Sequence, residues 1–198
     1  MNKNTLKLRD YLDIYGFITA NQCKNLLFGA NKQGLQEAQR KLRKMYEGKV
    51  VKRYRHYTTK EYVYYVGKND NISDHKLILM DLFSYIMGRY EVLYSQLEPM
   101  WAISNKRNDG HIIFDKDGST IGLLVEVDLF HQTSQRKLDA LYNSDEVQEF
   151  YARLFGAKYY PSVLIMNRKG VTDKRSEEYD VICTDYKMHG FSDLLEGD

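Results

Sequence analysis

Residues 33–66 read QGLQEAQRKLRKMYEGKVVKRYRHYTTKEYVYYV, and the period of the apolar positions changes in the middle of the stretch. Leu35, Ala38, Leu42 and Met45 recur at three- and four-residue spacing, which predicts the inner face of a helix. Gln33, Gln36, Arg40, Arg43 and Lys44 fall on the opposite face, and Gly48 closes the pattern. Beyond it, Val50–Tyr57 and Tyr62–Val66 are rich in Val and Tyr and flank the polar tetrad Thr58-Thr59-Lys60-Glu61, which predicts a β-hairpin.

Upstream lie two more helical patterns. Leu8, Tyr11, Leu12 and Tyr15 mark a first helix that Gly16 can end in the left-handed conformation. Thr19-Ala20-Asn21-Gln22 has the form of a capping box opening a second, short helix that ends near Gly29. Three helices followed by a hairpin predict a winged helix-turn-helix over residues 1–68. In such a unit the third helix enters the major groove and the hairpin follows the backbone. Gln33, Gln36 and Arg40 then suit base edges, with Arg43 on the same exposed face, whereas Lys44, Lys52, Arg53, Arg55 and Lys60 suit phosphates.

The charge distribution agrees with that division of labour. The net charge is only +2, yet residues 1–68 hold 15 Lys/Arg against 5 Asp/Glu, and residues 69–198 hold 14 against 22. Residues 32–60 alone carry 10 basic and 2 acidic side chains. A basic front end joined to an acidic remainder predicts double-stranded DNA as the partner of the first part.

The remainder, residues 69–198, opens with the polar link Asp70–Asp74. A helix follows from about Asp74 to Arg89, capped by Ser73. Strands are expected at Glu91–Ser95, Trp101–Ile103, His111–Phe114 and Ile121–Phe130, with a turn at Asp117-Gly118. Two helices follow, one through Leu138, Leu141 and Tyr142, the other through Val147, Phe150, Tyr151 and Leu154 behind a Ser144 cap. Strands at Ser162–Met166 and Tyr179–Thr184 complete a mixed-sheet α/β domain.

Two carboxylates stand inside the apolar run Gly122–Leu129. Side chains alternate along a strand, so Glu126 and Asp128 share the face of Leu124, where an unpaired charge costs several kcal/mol. A hairpin between this strand and the preceding one brings Asp109 near Glu126. Two readings stay open. Asp109 and Glu126 can converge on a hard cation such as Mg²⁺, or the acids can pair with Arg136, Lys137 or backbone amides.

These residues together resemble the replication-relaxation family of plasmids, phages and other mobile elements. The likeness rests on Arg40-Lys41-Leu42 followed by Gly48-Lys49-Val50-Val51-Lys52-Arg53, on His75 and Asp81 in His75–Asp81, on Asp109-Gly110, on Val125-Glu126-Val127-Asp128, and on a following helix with Lys137 and Tyr142. The resemblance implies a second domain similar to the PD-(D/E)xK nucleases, in which Asp109 and Glu126 would hold Mg²⁺ and a lysine would orient water. Asn108 stands where Pro usually precedes the Asp, and Asp128 occupies the place of the Lys, leaving Lys137 to reach back from the next helix. The expectation is therefore a sequence-specific DNA-binding protein, acting in replication, transfer or transcriptional control, with a catalytically silent nuclease-like domain and no cofactor. The alternative is a Mg²⁺-dependent nuclease or nickase using Asp109, Glu126 and Lys137. A third reading is a protein adaptor whose basic hairpin meets an acidic partner. A homodimer through the acidic part is expected, because one such unit reads only a few base pairs; a replication or transfer protein is a further expected partner.

Other classes are disfavoured by composition. With 43% hydrophobic and 28% charged residues the chain is neither disordered nor fibrous. No apolar run approaches the roughly 20 residues of a membrane span, and the amino end lacks the apolar stretch of a secretory signal, which predicts a cytoplasmic protein with no membrane partner. Cys23 and Cys183 are far apart and read as buried thiols. His56, His131 and His189 read as surface or satisfied residues, and the 17 tyrosines as builders of core and hairpin rather than a base-stacking platform.

Overall fold

The computed structural model describes residues 3–68 and 72–196, and the chain divides into two compact units, Met1–Tyr90 and Glu91–Asp198. The class is mixed α and β.

The first unit runs α1 (Lys3–Tyr15), β1 (Phe17–Thr19), α2 (Ala20–Phe28), α3 (Gly34–Glu47), β2 (Lys52–Arg55), β3 (Tyr62–Tyr65) and α4 (Asp74–Met87). Helix α1 buries Leu8, Tyr11, Leu12 and Tyr15, as their spacing predicts, and Gly16 follows at φ +79°. The capping box of α2 forms in full: Gln22 N–H donates to Thr19 Oγ1 at 3.2 Å and Thr19 N–H to Gln22 Oε1 at 3.0 Å. Helix α3 turns Ala38 and Leu42 fully inward, with Leu35 and Met45 half-buried beside them. The hairpin β2–β3 is shorter than expected at its open end, because Val50 and Val51 turn back onto the end of α3 through their N–H groups and the carbonyl of Met45.

Two features of this unit were not expected from the sequence. Phe17–Thr19 pairs antiparallel with β3, giving a three-stranded sheet of order β1-β3-β2. Three residues squeezed between a helix stop and a helix cap carry too little pattern to announce a strand. The second feature corrects the domain boundary. The division lies after Tyr90, not at 68/69, because α4 packs on α2 in the first unit. Gln22 Nε2 donates to Leu77 O at 3.2 Å and to Asp81 Oδ1 at 2.9 Å, and Lys7 Nζ donates to Met87 O at 2.6 Å. Gly88 ends α4 so close to α2 that a Cβ there would stand 2.0 Å from Asn25 O. Leu77, Leu79, Met80, Leu82, Phe83 and Ile86 are all buried. Of the expected link, Asp70 and Asn71 lie outside the described residues, and Asp74 already belongs to α4, capped by Ser73.

The second unit holds a five-stranded sheet. Its strands are β4 (Glu91–Leu97), β7 (Gly110–Lys116), β8 (Ser119–Asp128), β9 (Ser162–Asn167) and β10 (Val181–Asp185), with β5 (Met100–Trp101) and β6 (Lys106–Arg107) forming a separate ladder. The order is β10-β9-β8-β7-β4, antiparallel from β4 to β8 and parallel from β8 to β10. Asp117 and Gly118, both at positive φ, form the two-residue turn between β7 and β8. Of Trp101–Ile103, expected as a short strand, only Trp101 is one, paired in the small ladder, and Ile103 and Ser104 turn to give their N–H groups to Glu146. Helices α5 (Gln135–Asn143) and α6 (Glu146–Phe155) cross from β8 to β9, with α7 (Phe191–Glu196) last. Leu138 and Leu141 of α5 and Val147 and Tyr151 of α6 pack on Ile113, Leu124, Val163 and Ile165, which places the helices over the face that Glu126 shares. The residue before α6 is Asp145 at φ +58°, so Ser144 ends α5 rather than capping α6. Cys23 is buried, whereas Cys183 is only half-buried, short of the fully buried thiol expected there.

Candidate functional site

The candidate nucleic-acid residues form a largely exposed set on the first unit. Gln33 precedes α3 as its N-cap, and Gln36, Arg40, Arg43 and Lys44 project from exposed positions along the helix. Arg40 pairs with Glu37 at 2.6 Å and Arg43 with Glu47 at 2.8 Å, both one turn away and in water. Such pairs are worth 0–1 kcal/mol and exchange readily for another anion. Lys52 and Arg55 are exposed on β2, where Lys52 Nζ donates to Gly67 O and Arg55 Nε to Lys60 O, each at 3.0 Å. Lys60, at φ +61°, completes the set in the hairpin turn.

Arg53 differs from its neighbours. It is half-buried, with its guanidinium 4.2 Å from the ring centroid of Tyr46 on α3 and 4.4 Å from that of Tyr62 on β3. A hydrogen bond with Tyr64 raises its pKa further above its ordinary value. The two rings hold the planar cation by its faces and tie helix to hairpin, so Arg53 is ordered before any ligand arrives. Sequence reading placed Arg53 among the phosphate residues but missed its clamp. Tyr46 lies off the Leu35-Ala38-Leu42-Met45 period, the one signal that marked it as a surface tyrosine.

In the second unit, Asp109, Glu126 and Lys137 come together at the end of β7 and β8. Asp109 N–H donates to Val125 O at 3.1 Å, and its Oδ2 accepts from Val127 N–H at 2.7 Å. The Glu126 side chain is 3% exposed, and both its oxygens have donors. Asn108 Nδ2 reaches Oε1 at 2.6 Å; Lys137 Nζ reaches Oε2 at 2.7 Å, with Thr133 Oγ1 at 3.5 Å. Burial raises the Glu126 carboxyl to about 7, against the pull of the Lys137 ammonium. Of the partners expected for Glu126, Lys137 makes the pair.

Two further side chains complete this cluster. Trp101 Nε1 donates to Asn108 Oδ1 at 2.8 Å, and since an indole N–H can only donate, the Asn108 amide must turn its Nδ2 toward Glu126. A proline at 108 could do neither. Asp128, where the resemblance would place a lysine, accepts from Thr133 N–H at 2.8 Å and Thr133 Oγ1 at 2.7 Å, closing the loop into α5.

As folded, these residues do not fit a hard divalent cation. Mg²⁺ is usually held by carboxylate oxygens and waters, whereas here an ammonium and an amide fill the positions around Glu126. Among the described residues, no group of three or more His, Cys, Asp or Glu side chains is placed to hold a metal ion.

The histidines are mostly satisfied. His56 is buried, its Nε2 donating to Ile72 O at 3.1 Å, and His189 Nδ1 lies 2.6 Å from Asp185 Oδ2. His111, which no motif singled out, is buried among Tyr94, Trp101, Phe150 and Tyr151. Its Nε2 meets Tyr151 OH at 3.0 Å, and burial lowers its pKa to about 3. No helix among the described residues is long and apolar enough to cross a membrane. Comparison with protein-family models, with curated proteins and with solved structures finds no match.

Proposed function

We propose that the chain is a sequence-specific double-stranded DNA-binding protein of a mobile element, serving replication, transfer or transcriptional control in the cytoplasm. The first unit acts as a winged helix-turn-helix, with α3 as recognition helix and β2–β3 as wing. The observation that carries this reading is one set of residues on α3 and the hairpin: Gln33, Gln36, Arg40, Arg43, Lys44, Lys52, Arg55 and Lys60, all exposed, with Arg53 clamped among them. Exposed cations in one-turn pairs, on backbone carbonyls or, for Lys60, over the Tyr57 ring are available to phosphates. Gln33, Gln36 and Arg40 are the residues proposed to read bases.

The second unit is proposed to be a nuclease-like domain without nuclease activity, serving homodimer assembly or docking of a replication or transfer protein. The ammonium–amide shell on Glu126 supports the silent reading.

Two measurements test this. Binding to labelled duplex should weaken by about a thousand-fold between roughly 50 and 200 mM salt, as expected for several phosphate contacts, and a flat dependence would refute the DNA interface. Supercoiled plasmid incubated with the protein and Mg²⁺ should stay unnicked. Nicking that disappears in Glu126→Gln would replace the silent reading with the nuclease one.

A further inference from the structure

Tyr57 stands at the turn of the β2–β3 hairpin and is 86% exposed. Single exposed apolar residues are ordinary, so exposure alone decides nothing. What distinguishes Tyr57 is the frame that presents it. Its neighbour His56 points the other way, buried, with Nε2 on Ile72 O at 3.1 Å and Nδ1 accepting from Thr59 N–H at 3.5 Å. The turn is closed by His56 N–H to Glu61 O at 2.8 Å and Lys60 N–H to His56 O at 3.0 Å, and braced by Arg55 Nε on Lys60 O. An aromatic ring is thus projected from a fixed base rather than a loose loop.

The charges around the ring point to its ligand. Lys60 Nζ lies 4.4 Å from the Tyr57 ring centroid, over one face, and the exposure of the side chain leaves the rest of the ring open. The acid nearest in sequence, Glu61, is taken up by Asn21 Nδ2. Resting on the proposed DNA interface, we propose that Tyr57 stacks on an unpaired nucleobase, so that the protein prefers duplex DNA containing a locally opened site over fully paired duplex. An aromatic face flanked by cations is the chemistry that holds a base by its π-surface and the adjoining phosphate by charge. A fully stacked duplex offers phosphates to Arg55 and Lys60 but no base face to Tyr57.

The test is fluorescence anisotropy at about 50 mM salt with two labelled probes: a random-sequence duplex, and the same duplex with a short unpaired bubble at its centre. Wild type should bind the bubble about tenfold or more tightly than the duplex, the scale of one base stacked on an aromatic ring. Tyr57→Ala should lose that preference while binding intact duplex within about twofold of wild type, since phosphate contacts are untouched. Tyr57→Trp should retain it. Far-ultraviolet circular dichroism of each variant checks that the hairpin is intact. Equal binding of both probes by wild type would overturn the inference and leave the DNA interface standing. Equal loss on both probes in Tyr57→Ala would also overturn it. Failure to bind either probe would overturn the inference and the DNA-binding reading together.

Discussion

On α3 and the β2–β3 hairpin the charged side chains, the clamped Arg53 apart, are mostly exposed, and the ion pairs of α3 join neighbours one turn away, as Arg40 with Glu37 and Arg43 with Glu47. At the end of β7 and β8 the charges are few and buried. Glu126, with 3% of its side chain exposed, is surrounded by donors from Asn108, Thr133 and Lys137, the last of these 24% exposed. The difference separates two uses of charge. Charge in water costs little to hold and little to give up, so it can be redirected to a ligand; charge under a helix layer must be matched where it stands and is committed to the fold. The expected consequence is that mutations in the first region should change binding and spare stability, and mutations in the second the reverse.

The largest effect concerns where the first region ends. A fragment of residues 1–68 keeps every proposed DNA-contacting side chain but removes α4, and with it the partners of Gln22 and the buried Leu77, Met80 and Phe83. It should fail to fold cooperatively. A fragment of residues 1–90 should show a sigmoidal urea transition and bind duplex DNA with an affinity that falls as salt is raised. If the 1–68 fragment melts cooperatively, α4 is dispensable and the boundary after Tyr90 has no energetic meaning.

Next comes the buried pair. Lys137→Ala removes the cation from a carboxyl that burial already raises to about 7, so Glu126 takes up a proton; the loss of stability, read from urea unfolding, should be about 1–3 kcal/mol at pH 7 and should grow as the pH is raised. Glu126→Gln should cost about 1–3 kcal/mol, because an amide NH₂ must then face either Lys137 or Asn108, both donors. The loss should be the same in EDTA and in Mn²⁺. A Mn²⁺-dependent rise in the wild-type melting temperature that vanishes in Glu126→Gln would show that the acid holds metal and that the two regions are not so different.

How much of this was legible in the sequence follows from how local each feature is. The α2 capping box, the α1 face, the α3 face and the β7–β8 turn each lie within a few residues, and spacing alone predicts them. A hairpin between the two strands predicts Asp109 near Glu126, whereas the bond from Val127 N–H to Asp109 Oδ2 needs the register that the fold supplies. The allegiance of α4 was not legible, because its evidence is a close approach of Gly88 to Asn25 and a side chain reaching 59 residues along the chain from Gln22 to Asp81. Helical spacing also could not choose between Arg136 and Lys137 for Glu126. The role of Asn108 needs Trp101 and Glu126 at once, a juxtaposition that only the fold supplies.

A buried acid in the first unit sharpens the comparison by lacking the feature that defines the second. Asp81 is raised to about 7 by burial; Gln22 donates to it, and the charge it feels from Glu61 is of like sign. Its folded pKa lies above the unfolded value near 4, so its contribution is fully present below pH 4 and is lost as pH rises through about 7. Asp81→Asn keeps an oxygen for Gln22 and removes the charge. It should stabilise the protein by about 1–3 kcal/mol at pH 8 and by much less at pH 5, measured as the pH dependence of the urea midpoint. A gain that is the same at both pH values would mean that Asp81 does not change its protonation between them and that burial does not raise its carboxyl as far as about 7.

The smallest expected change in stability is the most diagnostic for the comparison, because it must coexist with a clear change in binding. Arg43 is exposed on α3 and pairs with Glu47, four residues on, at 2.8 Å. Arg43→Ala gives up an ion pair worth a few tenths of a kcal/mol and gains helix propensity from alanine, so the two terms nearly cancel and the melting point should not move beyond about 0.5 kcal/mol of equivalent stability. The same change removes one cation from the proposed DNA surface. Affinity should then fall uniformly on specific and random duplexes, and the slope of log affinity against log salt should shrink by about one. Glu47→Ala supplies the converse, freeing Arg43 from its neighbour, and should raise duplex affinity while leaving stability equally unmoved. A loss of stability in Arg43→Ala with no loss of binding would place Arg43 among the charges committed to the fold, and the contrast drawn between the two regions would not extend along α3.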